Sequence, residues 1–362
     1  MTELQESSTA AQIGEQAGPL ALDQDSVVGR NVYQAGERLH SRPGDGSLSR
    51  SERVQRPIPP NSLTWKYFGD RRTFLTILRT AGLENMWPQL GQAVSDHSQV
   101  FGDKANFAER GARSRRIIGT LVYATPEDAK KIAVKIRNYH KTLKGDMPQG
   151  HTYHAINPET YYWAHVTFFE AIYNWVDHFG RRPLTRAEKE QIFEESKEWF
   201  SLYGVDDSAQ PQTYDEFVEY LADVFENELI STTVSRYTFG FAVKPLPAPP
   251  GMHPVAKKHV WPRVAALVRL LNVGALEPIL RDRLELVWTE DDQRNFTRVS
   301  QFMRAFSVVY DRLPLRYRFH PDTVAAFERE GIDPKDITLE SAKAALAASR
   351  ATFAARSAEV VP

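Results

Sequence analysis

Residues 157–179 read NPETYYWAHVTFFEAIYNWVDHF, and this stretch decides the fold. Asn157 and Pro158 mark a helix start, because an asparagine side chain caps free N–H groups and proline suits the first turn. The residues that follow are apolar nearly all round a helix, which predicts a central helix buried on every side. Polar and charged residues interrupt the apolar run, so the segment does not read as a membrane span.

Helix signals also dominate the chain on both sides of this stretch. Thr125-Pro126-Glu127-Asp128 predicts a helix start, with a cap, a proline and acids at the positive end of the dipole. The spacings Thr185-x-x-Glu188 and Thr213-x-x-Glu216 are capping boxes, and Thr289 precedes three acidic residues. Only residues 237–243 alternate as a strand would. These patterns predict an all-α fold, a single large helical bundle domain that encloses an apolar pocket.

Composition divides the chain into three parts. Residues 1–60 are rich in Ser, Gln, Gly, Pro and Arg and show no sustained period, which predicts a disordered leader. Residues 61–325 carry the helical periodicity and form the predicted catalytic domain. Residues 326–362 form a predicted C-terminal helical tail, with an alanine-rich helix of lower hydrophobicity.

The overall composition limits the function classes. The chain has 362 residues, 42% hydrophobic and 25% charged, with a net charge of −1, so nothing global attracts nucleic acid. It contains no cysteine, which excludes disulfides, thiolate metal sites and iron–sulfur clusters. We find no transmembrane segment, and residues 1–18 do not form a secretory signal, so a cytoplasmic location is the default prediction. The oligomeric state is open.

Three polar residues stand on otherwise apolar helices and are candidate site residues. Arg116 and Thr120 are four apart, so they share one face of a helix. His140 follows Ile132 and Ile136 on the core-facing stripe of the next helix, at a position where the helical period predicts an apolar residue. A histidine placed there needs a partner, and a metal or haem iron is one. A backbone carbonyl or a carboxylate is the alternative.

The other candidates have plain structural interpretations. A buried Arg116 could pair with a nearby acid, and Thr120 could bond back to its own helix. The aromatic residues of 161–175 are typical of core packing. The chain has neither a His-Glu-x-x-His motif nor a glycine-rich phosphate loop. Three other histidines remain alternative metal ligands: His151, His154 and His165. The acids that could pair with Arg116 are Asp70, Asp96 and Glu109.

Residues 62–319 resemble the MpaB oxygenase family, which includes the bacterial rubber oxygenases called latex-clearing proteins. Four passages carry the resemblance. They are Phe68-Gly69-Asp70-Arg71 with Asp96-His97-Ser98; Arg116-x-x-x-Thr120; His140-Lys141-Thr142-Leu143-Lys144-Gly145 with Tyr153-His154-Ala155-Ile156-Asn157-Pro158 and Trp163-Ala164-His165; and Leu313-Pro314-Leu315-Arg316.

The resemblance implies a haem b cofactor bound inside a helical bundle. His140 matches the family's axial iron ligand, which makes it the predicted metal ligand. Arg116 and Thr120 match residues on the other side of the haem, near oxygen and substrate, so they are predicted as cofactor-binding and catalytic residues. Gly119 stands where the rubber enzymes have a lysine that can cap the distal iron site. No residue of this chain is matched to their proposed catalytic glutamate, and Glu109 is a nearby candidate for it.

Two function hypotheses follow. The first is a haem b-dependent oxygenase or oxidoreductase that uses O2 and acts on a hydrophobic small molecule, with isoprenoid-like compounds among the candidates. The second is a non-catalytic helical protein that binds a lipophilic ligand or a partner without haem. Haem content separates the two hypotheses.

Overall fold

The computed structural model describes the backbone of residues 56–97 and 104–359, and their side chains except at 104–112, 115 and 354–359. Within these ranges the chain forms sixteen α-helices and one two-stranded antiparallel sheet, so the predicted all-α class is confirmed. The α-helices are α1 (Leu63–Phe68), α2 (Ile77–Glu84), α3 (Pro88–His97), α4 (Lys104–Tyr123), α5 (Pro126–His140), α6 (Pro158–Phe179), α7 (Arg186–Ser201), α8 (Tyr214–Asp223), α9 (Thr233–Thr238), α10 (Pro254–His259), α11 (Trp261–Gly274), α12 (Pro278–Arg283), α13 (Glu290–Tyr310), α14 (Leu315–Arg318), α15 (Pro321–Glu330) and α16 (Leu339–Glu359). Short 3₁₀ helices span Arg71–Thr76 and Phe239–Ala242, and a π-helical turn spans Val224–Glu228.

Helix α6 is the centre of the fold. Its N-terminus is capped by the Asn157 side chain, which accepts hydrogen bonds from the backbone of Glu159 and Thr160. Helices α1, α2, α3, α7 and α13 pack around it, and most of its large side chains are almost fully buried. The prediction of a central buried helix is therefore confirmed. Neither α6 nor any other helix in the described part of the chain is long and apolar enough to cross a bilayer.

The predicted strand at residues 237–243 is wrong. These residues form the end of α9 and the 3₁₀ helix Phe239–Ala242. The physical reason lies just upstream, where Thr232 and Ser235 form a capping box that starts a helix and carries it past the alternating residues. Among the described residues the sheet consists of β1 (Lys144–Asp146) and β2 (Thr152–His154), which directly follow α5 and which the sequence pattern did not predict.

Residues near the two predicted boundaries pack on the helical core. Residues 1–55 of the predicted leader lie outside the described residues, while Ile58 is buried in the core and Arg56 bonds to Glu198. Residue 325 lies inside α15, whose Phe327 is fully buried in the same core. Helix α16 then packs on α7. The division into a leader, a catalytic domain and a tail stays a prediction.

Candidate functional site

Helix α5 places His140 at the end of a buried stripe. Thr125 caps the helix, and the stripe continues through the buried Ala133 and the partly buried Ile136 to the half-buried His140. The Nδ1 atom of His140 lies 2.8 Å from the carbonyl oxygen of Ile136. A carbonyl oxygen only accepts, so Nδ1 carries the proton and Nε2 presents a lone pair.

The ring of His140 has the chemistry of a metal ligand. Burial lowers its pKa, and the bond to Ile136 opposes this only in part, so the imidazole is neutral near pH 7. None of the described residues bonds to Nε2. The alternative interpretation, a core histidine bonded to a carbonyl, therefore accounts for Nδ1 but gives Nε2 no partner.

Tyr161, at the start of α6, borders His140. The two rings meet edge to face, with centroids 5.7 Å apart. Tyr161 is buried, yet its hydroxyl has no hydrogen-bond partner in the part of the chain that the structure describes. A buried hydroxyl without a partner is costly, and it marks a place where a ligand could supply one. Sequence reasoning treated Tyr161 as core packing, and the pattern gave no sign of this position.

Arg116 and Thr120 lie on an open side of α4. The Arg116 side chain is exposed, and no carboxylate of the described residues pairs with it. The Thr120 hydroxyl donates to the Arg116 carbonyl at 2.7 Å, which is the back-bonding that the sequence left open. A Cβ atom added at Gly119 would meet none of the described residues within 4 Å. The described part of the chain therefore leaves space at this position for a further group.

The structure puts His140 on the neighbouring helix but not in contact with Arg116 or Thr120. Helices α4 and α5 pack as a hairpin joined at Ala124 and Thr125. Residues equally far from the link lie side by side, so Arg116 lies near the level of Ala133. His140 lies about two turns, or about 10 Å, further along. A group that reached both His140 and Arg116 would have to span that distance.

Hydrogen bonds join the β-hairpin after His140 to the end of α3. The buried Tyr153 donates from its hydroxyl to Asp96 at 2.8 Å and lies 3.0 Å from Nε2 of His97. Burial and the Asp96 carboxylate raise the pKa of Tyr153, so the phenol stays protonated. A Cβ at Gly145 would come within 2.6 Å of the Tyr153 hydroxyl. Parts of the first and third sequence passages therefore meet here in a positioning role, while Ser98 lies outside the described residues.

Asp70, in the first passage, contacts residues that flank the last one. The Asp70 carboxylate accepts from the Arg72 side chain at 2.8 and 3.0 Å and from the Tyr310 hydroxyl at 3.2 Å. Asp70 also forms a β-bridge with Phe319, whose carbonyl accepts from Arg71. These contacts connect the start of the domain with the end of α13 and the segment after it, which gives Asp70 and Arg71 a structural role.

His165, an alternative ligand, is fully enclosed by aromatic rings. Its Nε2 lies 3.0 Å from the Ser196 carbonyl, and its Nδ1 has no partner in the described ranges. The rings of Trp199 and Phe200 lie with centroids 5.1 Å from it. Close packing leaves little space for a metal here, so His140 remains the better candidate.

The buried His165 predicts a loss of stability in acid. Burial lowers its pKa from 6.5 to about 3, and the bond to Ser196 offsets only part of this. Between these values the unfolded chain binds a proton that the folded chain does not, so stability falls as pH falls, by at most about 1.4 kcal/mol per pH unit. We expect His165→Phe to flatten this slope in denaturant unfolding between about pH 6 and about pH 4. The control His259→Gln changes an exposed histidine and should keep the wild-type pH slope. An unchanged slope in His165→Phe would show that His165 does not cause the pH dependence.

One cavity in the described part of the chain lies away from His140. It measures about 390 Å³ and lies between α1, the start of α7 and the start of α16, lined in part by Lys66, Arg182, Glu188 and Ile337. Within the described ranges no three His, Asp or Glu side chains are grouped to hold a metal ion. An apolar pocket at His140 is not shown. The side chains of residues 104–112 on α4 lie outside the described set.

The comparisons with known proteins add one finding. A family model described as "ER-bound oxygenase mpaB/B'/Rubber oxygenase, catalytic domain" matches residues 65–306. The match runs from α1 into α13, and it contains Arg116, Thr120 and His140. No curated protein and no solved structure gives a significant match to the chain.

Proposed function

Since the chain belongs to the mpaB and rubber oxygenase catalytic-domain family, we propose that it is a haem b-dependent oxygenase that acts with O2 on a hydrophobic small molecule. Membership of this family supports an oxygenase-type enzyme. The haem b cofactor and the hydrophobic substrate are what we propose in addition. One observation carries it. His140 presents a neutral imidazole whose Nδ1 is held by Ile136 and whose Nε2 has no partner among the described residues.

The residues around His140 fit a single axial ligand to haem iron. A ligating histidine usually donates its other ring N–H to a carbonyl or carboxylate, which fixes the tautomer and the orientation of the ring. Ile136 supplies that acceptor from the same helix, and the Tyr161 ring supports the imidazole from α6. Haem b, when bound, supplies an iron centre at which dioxygen can be activated.

Arg116 and Thr120 are proposed to bind and orient groups on the open side of α4. The exposed guanidinium of Arg116 can pair with a carboxylate, such as a haem propionate, or it can polarise an oxygen atom nearby. The Thr120 hydroxyl already donates to the Arg116 carbonyl, so its oxygen acts toward a ligand as an acceptor. Gly119 adds no side chain to this space, and the apolar Ile117, one helical turn before Thr120, is 41% exposed.

The absorption spectrum of the full-length protein tests the proposal. After expression with ample haem supply we expect a Soret band and about one haem per chain, identified as haem b by its pyridine adduct. Carbon monoxide should shift the band of the reduced protein, because iron held by His140 alone would still be able to bind a small ligand. A protein that shows no Soret band even after incubation with haemin would overturn the proposal and favour the non-catalytic ligand binder.

A further inference from the structure

Positive charge is concentrated in two segments of a chain that is almost neutral. Residues 229–276 contain six Lys and Arg residues and no Asp or Glu. Residues 293–320 contain six Arg residues and a single acid, Asp311, which pairs with Arg72. The net charge of the whole chain is only −1, so the remaining segments carry the compensating acids. Such a division produces a local positive field that the overall charge conceals.

The same two segments carry most of the exposed large apolar side chains. Eleven of the eighteen found in the described residues belong to them. On α13, Phe302, Phe306 and Val309 recur at spacings of four and three, which places them on one face of the helix. Phe302 is 67% exposed and stacks on Phe306 with ring centroids 6.2 Å apart. The eleven are Tyr237, Val243, Val255, Val260, Val264, Leu267, Phe302, Phe306, Val309, Leu313 and Tyr317.

Helices α11 and α13 contact each other near the start of α13. Arg269 on α11 pairs with Asp292 on α13 at 2.9 Å, and a Cβ at Gly274 would lie 2.3 Å from the ring of Phe296. Phe302, Phe306 and Val309 lie beyond these contacts, toward the end of α13. We call the exposed side chains of residues 298–317 the basic apolar face.

Cations without acidic partners border this face. Arg298, Arg312 and Arg316 pair with no carboxylate in the described part of the chain. Water solvates such cations well, but it does not favour exposed phenylalanine, valine and leucine beside them. A surface that combines unpaired cations with exposed apolar side chains suits a partner that is both apolar and negatively charged.

We propose that the basic apolar face docks on the surface of an anionic lipid bilayer. Apolar side chains on a helical face enter the boundary between headgroups and acyl chains, and lysine and arginine beside them attract anionic headgroups. A second copy of the chain docked face to face would bring two positive surfaces together. A nucleic acid would use the cations but leave the apolar side chains in water. The inference goes beyond the proposed function and is independent of haem binding.

Vesicle flotation with the full-length chain tests the inference. We expect about tenfold more protein to float with phosphatidylcholine vesicles that contain phosphatidylglycerol than with phosphatidylcholine alone, and high salt should reduce the difference. The variant Phe302→Ser/Phe306→Ser should lose about tenfold in binding, and Arg298→Gln/Arg312→Gln should lose the preference for anionic vesicles. Val218→Ser, which changes an exposed residue on α8, is the matched control.

Three results would overturn the inference. Wild-type protein could stay unbound with both kinds of vesicle, or it could bind with no difference between the two double variants and the control. It could also form a dimer in solution that Phe302→Ser/Phe306→Ser dissociates, which would make the face an interface between copies. Circular dichroism of each variant shows that lost binding does not come from lost folding, since all the changed side chains are exposed.

Discussion

Replacement of His140 by alanine is expected to remove haem from the protein. The variant should retain less than about a tenth of the wild-type Soret absorbance per chain, because the chain has no cysteine to replace the ligand and water is a poor axial ligand. Added imidazole should restore part of the band by filling the vacated space. The measurement is the absorption spectrum of protein purified in parallel with wild type.

Matched variants separate ligation from packing. His165→Phe changes a buried histidine on α6 and should keep the Soret band, and Arg116→Ala should keep haem while turnover falls. If His140 were only a core residue, His140→Ala would cost about 1–3 kcal/mol of stability and haem content would not change. Full haem content with an unaltered spectrum in His140→Ala would refute the axial assignment.

Replacement of Arg79 by methionine is expected to be the most destabilising single change away from the site. Arg79 is fully buried, bonds to both oxygens of Glu170 at 2.7 and 3.0 Å, and donates to the Ala275 carbonyl at 2.7 Å. Its removal leaves the buried Glu170 carboxylate without its cation. We expect a loss of about 3–5 kcal/mol in the free energy of unfolding, measured by denaturant titration.

The pH dependence of this variant gives an independent check. Burial raises the pKa of Glu170 even with Arg79 present, because desolvation outweighs the guanidinium, and the variant removes that opposing charge. A carboxyl whose pKa is higher folded than unfolded contributes less stability as pH rises, so Arg79→Met should be less damaging at acidic than at alkaline pH.

Two further variants complete the Arg79 experiment. Arg79→Met/Glu170→Leu should recover much of the loss, because it removes the unpaired charge. Arg294→Met breaks an exposed pair on α13 and should cost less than about 1 kcal/mol. An Arg79→Met protein as stable as wild type would show that the pair contributes little.

The local signals along the chain predicted several of the helices. Caps at Thr125, Asn157 and Thr289 lie where the sequence placed them, because a cap bonds to residues two or three positions away. The bond from His140 to Ile136 is equally local, one helical turn long. The strand prediction at residues 237–243 failed because alternation alone did not outweigh an adjacent capping box.

Part of the candidate site is formed by contacts between segments that are far apart in the sequence. The resemblance to the oxygenase family was confirmed by the family match, and the roles of His140, Arg116 and Thr120 stay predictions. The sequence named Asp96, Gly145 and Tyr153 separately, but it did not show that a tyrosine hydroxyl joins them. Nor did it indicate that the edge of Tyr161 would face His140.

The sequence by itself determined the helical class, the central position of α6 and the candidate ligand, because periodicity and caps act within a few residues. The tertiary structure alone decided that Arg79 bonds to Ala275, 196 positions away, and that Asp70 meets Phe319. It also decided that α11 and α13 contact each other near the start of α13. Burial and long-range pairing depend on which elements pack together, and no local pattern encodes that choice.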